Sequence, residues 1–336
     1  MNNKIFYYLR GISLLAFIII LTNSCDTKSG SSEVTREEIS NIYVPEFNSD
    51  SAFSFVENQV GFGPRVPGSE AHARCLEYLD GKLTEFGAKV TRQKFSASNN
   101  AGESFSFTNI IGVFNPNAQK RILLAAHWDT RIFADKDSTR QAEPIDGAND
   151  GASGVAVLLE VARQIVADSL GNVGVDIIFF DAEDNGAASQ NLQLIESGKL
   201  FPNWCLGSRY WAQNPHKPNY SAYYGILLDM VGAKNAKFHY ELYSKEYAPR
   251  ILRHVWNIGK ELGYSQFFID RDGAPIEDDH VPIIEHRRFP MIDIIDFDQN
   301  LTFGDYHHTH KDNIDVISKE TLKAVGQTVL TVIYRE

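Results

Sequence analysis

Five short segments carry side chains that could do chemistry together. They are Ala126-His127-Trp128-Asp129, Gly147-Ala148-Asn149-Asp150-Gly151, Phe180-Asp181-Ala182-Glu183-Asp184, Leu228-Asp229, and His308-Thr309 followed by Asp312-Asn313. Carboxylates and imidazoles are the donors zinc takes, and an additional carboxylate beside a ligand is the base that such a metal needs. Taken singly, the segments differ in weight. His127-x-Asp129 also fits a capped strand end, and Asp150 could be only a helix N-cap. Glu183 and Asp184 say more, because two adjacent acids after the apolar run Ile177 to Phe180 are costly at a buried strand end unless a cation or a proton compensates them.

The elements that must position these groups are legible in the apolar pattern. Ile122 to Ala125, Val175 to Phe180 and Tyr224 to Leu228 read as buried strands, each ending near an acid, with further strands at Phe105 to Val113 and Met291 to Ile295. Helical periodicity marks Glu70 to Phe86, Gly151 to Ala167, Tyr247 to Leu262 and Thr321 to Tyr334. This alternation predicts an α/β fold: a single domain with a mixed, largely parallel central sheet and helices on both faces. Polar groups at the carboxyl ends of such strands share one crevice. The small residues of Gly147 to Gly154 allow a sharp turn that aims Asp150 back at it.

The 336 residues, 43% hydrophobic and 22% charged, suffice for one sizeable core behind a leader. Met1 to Arg10 precede the apolar stretch Ile12 to Leu21, which is short for a bilayer span and has the length of a signal-peptide core. Thr22-Asn23-Ser24-Cys25 then resembles a bacterial lipoprotein cleavage site. Residues 1–24 are therefore predicted as a signal peptide and 25–45 as a flexible tether, lipid-anchored at Cys25 on the periplasmic face of a bacterial membrane; 46–336 form the catalytic domain. Ordinary secretion with an incidental Cys25 is the alternative. A formal charge of −11 with no cluster of Lys and Arg argues against nucleic acid or an anionic membrane surface as the main partner. Cys75, in a helix whose Ala73, Leu76, Leu79 and Leu83 recur at helical spacing, reads as a buried core thiol; its pairing with Cys205 is left open.

Taken in order, the segments resemble the zinc aminopeptidases with a co-catalytic metal pair, from about Gly61 to the C-terminus and including Gly63-Pro64-Arg65-Val66-Pro67-Gly68-Ser69 before the first helix. Within that group the chain is more similar to the glutaminyl cyclases, which use the same scaffold with a single zinc. The likeness lies in Leu227-Leu228-Asp229-Met230-Val231-Gly232-Ala233, in Gly207-Ser208-Arg209, in Asp278-Asp279-His280-Val281-Pro282, and in His308-Thr309 through Asp312-Asn313. The resemblance implies zinc-dependent cyclisation of the N-terminal glutamine of peptides and proteins to pyroglutamate, with release of ammonia. It implies Asp150, Asp184 and His308 as ligands of one zinc, Glu183 as acid-base, and Asp229 and Asp278 as hydrogen-bond partners of the leaving amide.

Three positions depart from that pattern. Asp184 stands where Glu is usual, His307 replaces a Trp on one pocket wall, and Asp293 replaces a His of the acid and imidazole network. With Trp204, which would supply an aromatic wall, His307 and Asp293 are the expected substrate-binding residues. The nearer rival is a two-zinc aminopeptidase, in which His127 and Asp229 complete a second metal position and Asp129 orients His127. The remoter one is a catalytically silent, lipid-anchored binding module.

Overall fold

The central strands are mostly apolar, and the computed structural model shows why: each is covered on both faces, and the buried Asp176 of the fourth strand is matched by Arg121 of the third. The structure describes residues 42–167, 170–187 and 191–336. The expected signal segment, Cys25 and the tether up to residue 41 lie outside the described residues. The strands are β1 (Lys89–Ser98), β2 (Ser104–Phe114), β3 (Lys120–His127), β4 (Val173–Phe180), β5 (Tyr224–Asp229), β6 (Phe238–Tyr240), β7 (Phe268–Asp272) and β8 (Met291–Ile295). Strands β6 and β7 pair with each other, and the other six form one sheet in the order β1-β2-β4-β3-β5-β8. From β4 to β8 the neighbours run parallel, while β1 and β2 add an antiparallel edge. The sheet is thus mixed and largely parallel, as expected.

The helices are α1 (Ser49–Gly61), α2 (Glu70–Glu85), α3 (Ala152–Ala167), α4 (Leu192–Glu196), α5 (Leu206–Gln213), α6 (Leu242–Tyr247), α7 (Pro249–Glu261), α8 (His280–Arg287) and α9 (Lys319–Tyr334). Ile122, Leu124 and Ala126 of β3 enter the core built with α1, α2, α3, α7 and α9. Leu123 and Ala125 enter the opposite core with Trp211 of α5 and Ile283 of α8. Successive strand residues point to opposite faces, so two-sided burial requires a largely apolar run.

Two elements escape the sequence pattern. Strand β1 is mostly exposed and polar, and is held by its full register with β2 rather than by its own composition. Helix α1 packs Ala52, Phe55 and Val56 onto the first core, although its apolar stripe is weak. One boundary also moves: the helix expected from Tyr247 begins at Pro249, and Tyr247 closes α6. A residue before proline avoids the helical region, and Ala248 breaks the chain there at φ −134°.

The fold takes hold where the tether was expected to end. The Phe47 amide donates to Gln327 at 2.8 Å, and Gln327 donates to the Pro45 carbonyl at 3.1 Å. Cys75 and Cys205 are both buried free thiols, so the open question of a disulfide resolves against it. Among the described residues no helix is long and apolar enough to cross a membrane.

Candidate active site

Strands β3 and β4 end level with each other, His127 opposite Phe180, and β5 ends at Asp229 beside them. The chain then turns sharply. Ala182, Cys205, Met230 and His308 adopt left-handed φ values of 59°, 56°, 49° and 58°. Such conformations cost side-chain-bearing residues energy and persist where packing enforces them, as at functional sites. The turns bring Asp150, Glu183, Asp184, Trp204, Asp229, Asp278, His307 and His308 to the wall of one cavity of about 1140 Å³.

His308 is held at both ring nitrogens. Its Nε2 lies 3.0 Å from Asp184 Oδ1 and 3.9 Å from Asp150 Oδ2, while Nδ1 lies 3.2 Å from Asp135 Oδ1. Asp135 is itself clamped by Arg131, at 3.1 Å from Nε and 2.9 Å from Nη2. His127 Nε2 sits 3.1 Å from Asp150 Oδ1 and 3.2 Å from Asp229 Oδ1, and its Nδ1 is 3.5 Å from Asp129. The Asp129 carboxylate also accepts the Glu183 and Asp184 amides at 3.0 and 3.2 Å, fixing the loop that carries both acids.

The Asp150 turn is pinned from two sides. Asp312 accepts the amides of Asn149 and Asp150 at 2.7 and 3.0 Å, tying this turn to the His308 segment. Buried Arg65, from the segment before α2, donates to the carbonyls of Asp146 and Gly147. Gly151 is needed here: its φ is +91°, and a Cβ would lie 2.9 Å from His127 Cε1.

The chemistry of this donor set fits zinc. Asp150, His307 and His308 bring ligand atoms within 4.8 Å of one another, as do His127, Asp150 and Asp229. Asp184 joins the first set through its contact with His308, and its buried Oδ2 has no hydrogen-bond partner among the described residues. The shorter Asp side chain is accommodated by its loop, whose Asp184 carbonyl Arg131 holds at 2.7 Å. Negative charge dominates. Burial raises the carboxyl of Asp184, and Asp150 adds to it. Asp229 is pushed up to about 7 by burial and by Asp278, against the hydrogen bond from His127. Burial, together with Asp278 and Asp184, drives Glu183 well above the usual carboxylate range despite His127 nearby. A divalent cation relieves this repulsion.

The substrate-side residues divide. Trp204 stands where an aromatic wall was expected, its ring parallel to His308 at 6.0 Å and covered by Arg131 at 4.7 Å. Gly186 makes room for it, since a Cβ would come within 2.4 Å of the indole. Arg209, in the Gly-Ser-Arg start of α5, donates to the Trp204 carbonyl at 2.9 Å and pairs with Glu277, joining the indole loop to the Asp278 segment. His307 lines the cavity and stacks on His308 at 3.7 Å. Asp293 corrects the expectation. It is fully buried and absent from the cavity wall, where it packs behind Asp278 and His280. Burial and Asp278 push its carboxyl well above the usual range, and its side chain stands behind Asp278 rather than on the cavity wall.

Residues 109–333 match Peptidase family M28. The chain belongs to that family. Among its relatives, the curated glutaminyl-peptide cyclotransferase of Gloydius blomhoffii is 27% identical over 285 residues, 77% of this chain and 73% of that one. The crystal structure of Bacteroides thetaiotaomicron glutaminyl cyclase bound to N-acetylhistamine is 50% identical and superposes with a TM-score of 0.83, covering 88% of this chain and all of its own. A Zn-dependent exopeptidase from Parabacteroides distasonis is 49% identical, with the same TM-score and coverage. The M28 scaffold thus carries both kinds of relative, and the chain resembles glutaminyl cyclases along its whole catalytic domain.

Asp135, Arg131 and Cys205 are the site residues that sequence reading did not single out. A histidine ligand needs an orienting partner on its second nitrogen, which told that an acid had to exist. Nothing local marked Asp135 as that acid, 173 residues before His308. Cys205 donates its thiol to Glu183 Oε1 at 3.3 Å, a contact that its place in the insertion did not reveal.

Proposed function

We propose that this protein is a zinc-dependent glutaminyl-peptide cyclotransferase acting on peptides and proteins with N-terminal glutamine. One observation carries the reading: Glu183 and Asp278 reach within 4.8 Å of each other on the cavity wall, beside the ligand set. Cyclisation needs a proton moved between two nitrogens of one substrate, and adjoining carboxyl groups raised by burial provide for that. Asp150, Asp184 and His308 would hold zinc, whose Lewis acidity polarises the side-chain amide and stabilises its oxyanion. Glu183 accepts a proton from the α-ammonium, and the freed amine attacks the amide carbon to close the ring. The ring nitrogen then gives up its second proton as the carbon to nitrogen bond of the amide breaks, and both protons, one of them returned by Glu183, leave on the departing nitrogen as ammonium. Asp278 and Asp229 orient the leaving nitrogen, and Trp204 and His307 wall the glutamine side chain. Because nucleophile and amide are tethered, positioning supplies much of the rate.

The M28 scaffold leaves a second reading with an observation of its own: His127, Asp150 and Asp229 form another possible cation set, as a two-zinc aminopeptidase requires. Incubation with a Gln-initiated peptide separates the two. Loss of ammonia, with one zinc per chain, supports cyclisation; release of the whole first residue, with two, replaces it. Export as a lipoprotein is proposed on the leader and Cys25. Membrane-fraction material should carry diacylglycerol on Cys25, and recovery of an unprocessed Met1 would contradict it.

A further inference from the structure

A second cavity, of about 740 Å³, adjoins the first, and Lys136, Ile276, Phe303 and His307 line both. Most charges around it are matched: Lys311 pairs with Asp305 at 2.6 Å, and Asp137 with His310 at 2.9 Å. Lys136 differs. Among the described residues no carboxylate lies within ion-pair distance of its ammonium, whose close partner is Nδ1 of His307. The ammonium lies 5.7 Å from the Phe303 ring centroid, and the residue remains exposed. Its backbone N–H donates a hydrogen bond to the His308 carbonyl at 3.2 Å.

A cation held by an imidazole nitrogen and an aromatic face, with no carboxylate at ion-pair distance, keeps its charge available to a ligand. Its place decides which ligand. A peptide with its first residue in the catalytic cavity must send its next residues outward, and the second cavity borders the first at these shared walls. We propose that the second cavity receives the residues following the N-terminal glutamine and that Lys136 selects an acidic side chain there. The apolar surface of Ile276, Leu301 and Phe303 covers the methylenes of such a side chain, and the ammonium repels Lys or Arg at the same place. This inference rests on the cyclase reading of the site.

The test uses the full, zinc-loaded protein and ammonia release from Gln-Glu-Ala, Gln-Lys-Ala and glutamine amide, the last too short to reach the second cavity. The wild type is expected to favour Gln-Glu-Ala over Gln-Lys-Ala by about three- to tenfold in kcat/KM at low salt, chiefly through KM. The preference should shrink in about 0.5 M salt, where exposed charges are screened. Lys136→Gln should bring the ratio close to one, and Lys136→Glu should invert it. A ratio near one in the wild type, or an unchanged ratio in Lys136→Gln, overturns the subsite while glutamine amide turnover leaves the cyclase reading standing. If no substrate releases ammonia, glutamine amide included, the cyclase reading fails and the subsite falls with it.

Discussion

Replacing Glu183 by Gln removes the proton carrier and leaves Asp150, Asp184 and His308 in place. Zinc content and fold should persist while turnover drops by roughly two to four orders of magnitude. Loss of zinc alongside activity would make Glu183 a ligand. Asp278→Asn should also keep the metal and slow ammonia release from Gln-peptides; an aminopeptidase indifferent to it would release Leu from Leu-initiated substrates instead. His308 depends on Asp135 for its ring orientation, so Asp135→Asn, nearly the same in shape, should weaken zinc binding by about 10- to 100-fold. Zinc titration against a competing chelator reads this directly, and an unchanged affinity would show that the Nδ1 contact is idle.

Among the elements, the turn from residue 146 to 151 has most to hold, since it delivers Asp150 to both imidazoles. It is anchored by Arg65 from before α2 and by Asp312 from after the His308 segment, so two parts of the chain far apart in sequence fix one ligand. Arg65→Met keeps much of the volume but strips two carbonyls, that of Gly147 buried and that of Asp146 partly so, of their donor. It should cost about 2–4 kcal/mol and loosen zinc binding as well. Thermal melts with and without zinc measure both losses. A variant as stable as wild type would mean that Asp312 alone holds the turn.

Over the whole molecule, the site concentrates buried carboxyl groups that hold protons more tightly when folded. Burial first, and then neighbouring acids, lifts Asp229 to about 7 and Asp312 to about 8, against about 4 in an unfolded chain. Between these values the folded protein binds more protons than the unfolded one, so its stability falls as pH rises from about 4 to 8. His127 and His308, raised by their acidic partners against the effect of burial, push in the same direction. Chelator-treated protein should therefore melt on the order of 10 °C lower at pH 8 than at pH 5, and zinc should recover most of that at pH 8, where cation and proton no longer compete. A melting temperature that climbs with pH in the chelated protein would refute this account of the site's charge.

Local composition determined a good deal. The two-sided burial of β3, β4 and β5 demands apolar runs, broken inside only by the paired Arg121 and Asp176, so these strands announce themselves, and the acids at their ends must then share a crevice. Glu183, Asp184 and Asp229 were legible for that reason, Asp150 and His308 through type and order along the chain, and Asp278 through the segment that resembles the glutaminyl cyclases. Strand β1 was not, because its pairing comes from β2 and its own residues are polar. Nor was the difference between Asp278 and Asp293: both are buried acids, and only packing puts one on the cavity wall and the other behind it. Asp135 under His308, Cys205 against Glu183 and Lys136 between two cavities were likewise decided by tertiary structure. Each depends on a distance between segments that no local pattern encodes.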